Sequence, residues 1–358
     1  MTLALRPLPE DPDPALLPAV GRLRQARHRL VLPDDVEPGE VEWLAQSRFV
    51  TARWLTEPDA SGDVLEPGVL RLSRHSGVAG PYAAPPGDAT PGADAPSGAD
   101  DGAVYDVVCP RERGDAPHPE QADADGLAAA LPTGMPVREE ERVLAWLVAA
   151  ARRLHGSVVV DSDDGPVTLT PDPAALVDLT VYTDVWLAPE ASLLTIQQVA
   201  PTAHYASTGV AWGGPPPGVA QAPLPEGVEL DPEVREFVHR RAEDADIAAL
   251  TSGEAPTGYA VHVDLGADGL VAVEIGGDQV VPVALRGLPW ADGGAIAYRV
   301  RWVPDDFTEL EEERPPTAHR IARGRAAISV AKLAGALHDV VGGEIADQGE
   351  FLVARSDL

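Results

Sequence analysis

Apolar residues recur along this chain in two rhythms. Between Val137 and Leu154, Val143, Leu147, Ala150 and Leu154 fall at three- and four-residue steps, with Arg152 and Arg153 on the other side. That spacing predicts an amphipathic helix. Pro136 stands at its start and Glu139, Glu140 and Glu141 fill its first turn, where carboxylates suit the helix dipole. Gly156 is the stop signal, "SVVVD" follows as a strand and "SDDG" as a turn. The end of the chain repeats the plan. Ala326, Val330, Leu333, Leu337 and Val340 make one stripe, Gly342 and Gly343 end it, and "EIADQGEFLVA" supplies strand and turn. Aligned without gaps, Ala145, Leu147, Ala150, Gly156 and Asp161 fall on Ala331, Leu333, Ala336, Gly342 and Asp347.

The second rhythm is alternation, the mark of strands. "HRLVLPDD", "VTARWLT", "VLRLSR" and "AVYDVVC" predict strands in the first half, with "PGEVEWLAQSRF" as a short helix. In the second half "VDLTVYTDVWL" is a strand and "PEASLLTIQQVA" a helix. "GYAVHVDLG" and "GLVAVEIGG" are a hairpin around "ADG", and "AIAYRVRWV" is a later strand. Each half reads strand, helix, strands, helix, strand. The predicted fold is α+β: two tandem ferredoxin-like (split βαβ) units from an internal duplication, each an antiparallel sheet with helices on one face. Residues 1–170 form the first unit, with Pro/Gly/Ala/Asp-rich loops at 77–102 and 110–125. Residues 171–358 form the second, with a further Pro-rich loop at 213–227 and an inserted helix near 231–250. The length of 358 residues fits two cores better than one.

Composition narrows the function. The formal charge is −30, which opposes binding to nucleic acid or to an anionic membrane surface. There is one lysine, Lys332, and no asparagine. With abundant Ala, Gly, Pro, Asp and Arg this is the composition of a GC-rich bacterial coding sequence, or of a halophile. The beginning of the chain has no basic segment leading into an apolar run, and no stretch is apolar enough to span a membrane, so a cytoplasmic protein is expected. The single cysteine, Cys109, excludes an intrachain disulfide and a Cys-based zinc site, and reads as a small buried apolar residue.

Catalytic signatures are absent: no phosphate-binding glycine loop, no HExxH, no GxSxG. "DSDDG" (Asp161–Gly165) begins like a calcium loop but carries Pro166 where that loop needs glycine, and reads as an acidic turn. His155 and His338 sit near helix ends, where an imidazole suits the dipole. Two features carry candidate sites. Alternation places His262, Asp264, Glu274, Arg299 and Arg301 on one side of the second sheet, a polar face suited to a carboxylate or phosphate, or else a solvated face with cross-strand ion pairs. Arg320 and Arg323 begin the last helix, where cations oppose the dipole. They mark an anion site unless "ELEEER" just upstream neutralises them.

The function expected from these features is a non-catalytic binding or regulatory protein, with an anionic small molecule as candidate ligand and no cofactor or metal. One alternative is an enzyme that holds an anionic substrate by the four arginines. The other is a protein–protein adaptor anchored by Trp43, Trp186, Trp212 or Trp290, with another protein or a second copy of the chain as partner.

Overall fold

The computed structural model of the chain describes residues 3–16, 24–85, 102–118, 123–206 and 258–358. The expected helix near 231–250, the loop at 213–227, Trp212 and most of the loop at 77–102 lie outside them. In the first half the elements are β1 (Ala4–Pro7), β2 (Gln25–Leu32), α1 (Pro38–Gln46), β3 (Arg53–Thr56), β4 (Val64–Leu65), β5 (Gly68–Arg71), β6 (Gly77–Ala83) and β7 (Ala103–Pro110). They are followed by the single turn α2 (Leu127–Ala130), α3 (Arg138–Arg153), β8 (Ser157–Ser162) and β9 (Gly165–Leu169). The second half contains β10 (Leu179–Thr183), α4 (Pro189–Val199), β11 (His204–Tyr205), β12 (Gly258–Asp264), β13 (Leu270–Asp278), β14 (Ala295–Val303), α5 (Thr317–Val341), β15 (Glu344–Asp347) and β16 (Leu352–Val353).

Two sheets result, and they share an order. The first runs β3-β5-β6-β7-β2-β8-β9, the second β11-β12-β13-β14-β10-β15-β16. Neighbours along both paths are antiparallel; only β1, which joins β6 and β4 at the margin of the first sheet, pairs in parallel. The fold is α+β. The crossovers β7-α3-β8 around β2, and β14-α5-β15 around β10, place an antiparallel strand between two parallel ones, as a split βαβ unit does. The sheets depart from the four-strand plan by two extra strands before β7 and β14 and by a closing strand after β8 and β15.

The helices cover one face of each sheet. Val143, Trp146, Leu147 and Ala150 of α3, with Val41 and Ala45 of α1, bury Leu30, Val78, Tyr105 and Val158. In the second half Val330, Leu333 and Leu337 of α5, with Ile196 of α4, bury Val181, Val273, Tyr298 and Val300. Each large side chain so removed from water contributes about 1.5–3 kcal/mol. Local signals set the ends. Pro38 opens α1, and the Glu40 carboxylate accepts the Glu37 N–H at 2.8 Å. Both long helices stop at a left-handed residue, His155 (φ 56°) and Gly342 (φ 65°), followed by glycine. A Cβ on Gly156 would collide with the Val31 carbonyl, and one on Gly343 with the Tyr182 carbonyl. These glycines are therefore counterparts, and the gapless match of Gly156 to Gly342 is off by one residue.

Two expectations need correction. The loop expected from residue 77 starts as strand: every residue of Gly77–Tyr82 is buried, and Gly80 has no room for a Cβ against the Tyr105 ring. Small side chains there permit close packing and do not mark a spacer. The helix-free face is also not generally free. In the first sheet Leu16, with Leu8, covers Val31, Val69, Ala79, Val104, Val108 and Val159. In the second, Val281, Leu285 and Ala291 cover only the part near Ala295 and Tyr182. The halves meet where Phe351, from the β15–β16 turn, enters the core of the first sheet and Arg48 bonds the Gly349 carbonyl at 3.0 Å.

Candidate functional site

Pairing across the second sheet aligns Ala260, Glu274, Arg299, Thr180 and Ala346 in one row and His262, Ala272 and Arg301 in the next, with Asp264 beyond. Five of the seven candidate residues thus share the helix-free face. Their charges are already matched. Arg301 lies 3.4 Å from Glu274 and 3.8 Å from Asp178, and Arg299 pairs with Asp278. Asp264 accepts the Gly266 N–H at 2.7 Å within its turn, and His262 meets His204 edge-on with ring centroids 6.2 Å apart. Burial pushes the Asp178 carboxyl above its ordinary range, although the Trp302 N–H and Arg301 oppose this.

The other two candidates are elsewhere. Arg320 and Arg323 belong to α5, which packs on the opposite face against Tyr298, Val300 and Trp302. The four arginines do not converge, and the arrangement required of an enzyme gripping its substrate by all four is not formed. Arg323 is buried and bonds Asp172 at 2.5 Å, while Arg320 is exposed and reaches Thr317 at 3.3 Å. Of the acidic run upstream, Glu309 is taken by His319 at 3.0 Å, and that ring lies against Trp302.

A buried polar cluster sits at the start of α3. Glu140 is fully buried and accepts Arg113 Nε at 2.9 Å, Arg113 Nη2 at 2.6 Å and the Glu112 N–H at 2.7 Å. His28 Nδ1 accepts the Asp161 N–H at 3.1 Å, and its Nε2 lies 3.4 Å from Glu140, in ion-pair range without hydrogen-bond alignment. Burial alone would raise the Glu140 carboxyl. The contacts with His28 and Arg113 outweigh it and hold the group below its ordinary value. Cys109 is buried nearby; desolvation first, then Glu140 and Glu139, push its thiol up, away from the nucleophilic thiolate. Asp161 and Asp163 of the acidic turn both face Arg111.

A sizeable concavity belongs to the first half. A groove of about 950 Å³ runs between β1, the β2–α1 turn, the start of α1, the β3–β4 connection and the ends of β6 and β7. Leu5, Val36, Trp54, Leu65 and Pro81 give it an apolar surface. Asp34, Asp35, Glu37, Glu42 and Glu57 line it with carboxylates, and no Lys, Arg or His is among the described residues that line it. None of the seven candidate residues borders it.

In the second half the turn before the first helix makes contacts of its own. Tyr298, on β14 opposite Val181, accepts the Leu187 N–H at 2.8 Å and donates to the Val185 carbonyl at 2.9 Å. Tyr259 donates to the Leu187 carbonyl at 2.6 Å, and Trp186 closes edge-on over the Tyr259 ring at 5.5 Å. The turn before α4 is thereby tied to the sheet. The counterpart of Tyr298 is Tyr105, opposite Leu30 on β7. Its hydroxyl is buried and has no hydrogen-bond partner. Desolvation, and then the nearby Glu40 carboxylate at the start of α1, push its phenol up. The turn before α1 is Asp34–Glu37, which lines the groove.

No family model, curated protein or solved structure matches this chain. The groove escaped the sequence reading because its walls come from five separate segments. The usable signal was local: "PDDVEPGEVE" places five carboxylates around a strand-to-helix turn, far more than capping one helix needs. Of the aromatic anchors, Trp43 is 72% exposed on α1, outside the groove lining, and Trp290 packs beside Leu285. No helix among the described residues is long and apolar enough to cross a membrane.

Proposed function

We propose that this chain is a non-catalytic binding protein, built from two diverged copies (residues 1–170 and 171–358) of an enlarged ferredoxin-like unit, and that it engages a partner in the groove of the first copy. The groove carries the reading. It lies near the top of the ~300–1,000 Å³ range of ligand sites, combines an apolar surface with charged groups at its margin, and is lined by the turn before α1, whose counterpart in the second copy is tied to its sheet. The arginine face supports an anionic small-molecule ligand less well, because Arg299 and Arg301 each already face a carboxylate. An enzymatic role has less support still, since His262, Asp264 and Glu274 border no groove with the arginines of α5.

A photo-crosslinking side chain at Ala60, which lines the groove, and another at Asp264, on the open face of the second sheet, test this in cell extract. Adducts are expected from Ala60 alone and should vanish in Gly39→Phe. Gly39 lines the groove and a Cβ there meets nothing within 4 Å, so a side chain can be added at this wall. Adducts that form from Asp264 and are indifferent to Gly39→Phe would transfer the binding role to the open sheet.

A further inference from the structure

Resting on that reading, we infer that the occupant of the groove is a basic, partly apolar peptide segment of a partner protein, with Lys or Arg side chains against the carboxylates and an apolar side chain against Trp54 and Leu65. Charge is the first reason. Asp34, Asp35, Glu37, Glu42 and Glu57 line one concavity without a cation among the described residues that line it, in a chain of formal charge −30. Like charges gathered at one site repel, and a cationic segment relieves that repulsion as it binds. Elsewhere in the described residues carboxylates are repeatedly matched by arginine, as at Asp106, Asp161, Glu140 and Asp278. At the groove five carboxylates meet with no arginine among the described lining residues.

The apolar surface is the second reason, and it separates a peptide from simpler cations. A metal ion needs several donors converging on one point, and no group of three or more His, Cys, Asp or Glu among the described residues does so. A polyamine would use the carboxylates but leave Leu5, Val36, Leu65 and Pro81 without a role. Arginine or lysine with neighbouring apolar residues uses both, and its cation can also lie over the indole of Trp54. The third reason is polar. The turn Asp34–Glu37 lacks the ties that Tyr298 and Tyr259 give its counterpart, and the buried Tyr105 hydroxyl is unpartnered beneath the start of α1. With no such tie to the sheet, the carboxylates of this turn are left for a bound segment to engage.

The test uses the full chain and a labelled peptide of alternating Arg and Leu, followed by anisotropy and by tryptophan emission. Three comparison probes are a peptide of alternating Arg and Ser, one of alternating Glu and Leu, and spermine. Tight binding is expected for the Arg/Leu peptide alone, with an emission change that Trp54→Phe removes. Asp35→Lys with Glu57→Lys should weaken it by at least about tenfold, as expected when charge complementarity is reversed. Asp292→Lys with Asp305→Lys, exposed carboxylates that do not line the groove, should leave it nearly unchanged. Equal loss in both double variants would reduce the effect to attraction by the whole anionic chain and overturn the inference. So would spermine or the Arg/Ser peptide binding as tightly as the Arg/Leu peptide, or preference for the Glu/Leu peptide. If the partner crosslinked from Ala60 is not displaced by the Arg/Leu peptide, the groove remains the binding site and only its basic peptide occupant is refuted.

Discussion

Asp106 and Arg299 occupy the same place in the two sheets, on β7 beside β2 and on β14 beside β10, opposite Arg29 and Thr180. Their surroundings differ. Asp106 is fully buried, bonds Arg27 Nε at 2.8 Å, and lies on the face covered by Leu8 and Leu16 of an N-terminal arm (residues 8–16), whose Pro9 carbonyl accepts the same guanidinium at 2.7 Å. Arg299 is partly exposed and answers to Asp278 across a face that is only partly covered. A second contrast lies on the helix side. Glu140, near the start of α3, is clasped by Arg113 beside His28; the corresponding positions are Ala327 on α5, one residue off the gapless alignment, and Leu179 on β10, by the register that matches Leu30 to Val181. One strand order therefore supports two solutions. The first half invests in buried polar contacts and an added arm and keeps its groove open. The second has a more apolar core, a self-neutralised outer face, and a turn before α4 tied to its sheet.

The largest effect is expected at the buried cluster. Arg113→Ala leaves the Glu140 carboxylate without its guanidinium, and stranding a buried charge costs about 3–5 kcal/mol. Urea unfolding measures it. Replacing both partners by apolar residues, Arg113→Leu with Glu140→Leu, should recover most of the loss and bring the first half closer to the second. The cluster also sets an acid limit. Because folding holds Glu140 below its ordinary value, its contribution is complete above the unfolded-state pKa and is lost as pH falls through the folded one. Unfolding free energy of the parent should drop across that acidic interval more steeply than that of the double variant; parallel curves would remove Glu140 from the account.

Next in size is the arm. Leu16 is buried on Val31, Val69 and Val108, so Leu16→Ala should cost roughly 2–5 kcal/mol, as other buried leucines do. Thermal unfolding reports it. A change below about 0.5 kcal/mol, the usual range for surface sites, would mean that the arm does not hold this face, and the contrast between the two outer faces would collapse.

How far this was readable in advance depended on the range of the signal. Alternation in Tyr259–Leu265 and Ile296–Trp302 is local, so both strands and the shared face of His262, Glu274, Arg299 and Arg301 were legible. The stripes of α3 and α5 were legible for the same reason, and with them the matching plan of the halves. Three things depended on distant partners. The helix-free side was read only in the second sheet, and nothing local shows that the arm closes that side of the first until Leu16 meets Val31. The arginines of α5 were grouped with those of β14 by charge, yet a helix lying on the opposite face cannot present them together. The groove needed the β2–α1 turn, Trp54 and Leu65 side by side, and nothing in "PDDVEPGEVE" reveals the apolar surface it faces.

The paired tyrosines give a smaller, two-sided expectation. Tyr298→Phe removes two hydrogen bonds and leaves the Leu187 N–H without its acceptor, at a cost of about 1–2 kcal/mol. Tyr105→Phe removes a buried hydroxyl that has no partner, and should be neutral or stabilising by up to about 1 kcal/mol. Opposite signs in otherwise identical substitutions, read by urea unfolding, would locate the difference at the turns before α1 and α4. Equal losses would mean that Tyr105 already has a partner and that the first half is as closed as the second.

The smallest effect is expected on the open face. The Arg301 side chain is 54% exposed and shares Glu274 at 3.4 Å with Asp178 at 3.8 Å. Ion pairs in that setting contribute roughly 0–1 kcal/mol, because solvent screens them and holding long side chains costs entropy. Arg301→Ala should therefore change the unfolding free energy by less than about 1 kcal/mol, and the change should shrink further as salt is raised. The value of this variant lies in its size relative to Arg113→Ala. A loss approaching that of the buried cluster would mean that Arg301 is not solvated in solution, that something covers the second sheet as the arm covers the first, and that the two halves resolve their outer faces in the same way.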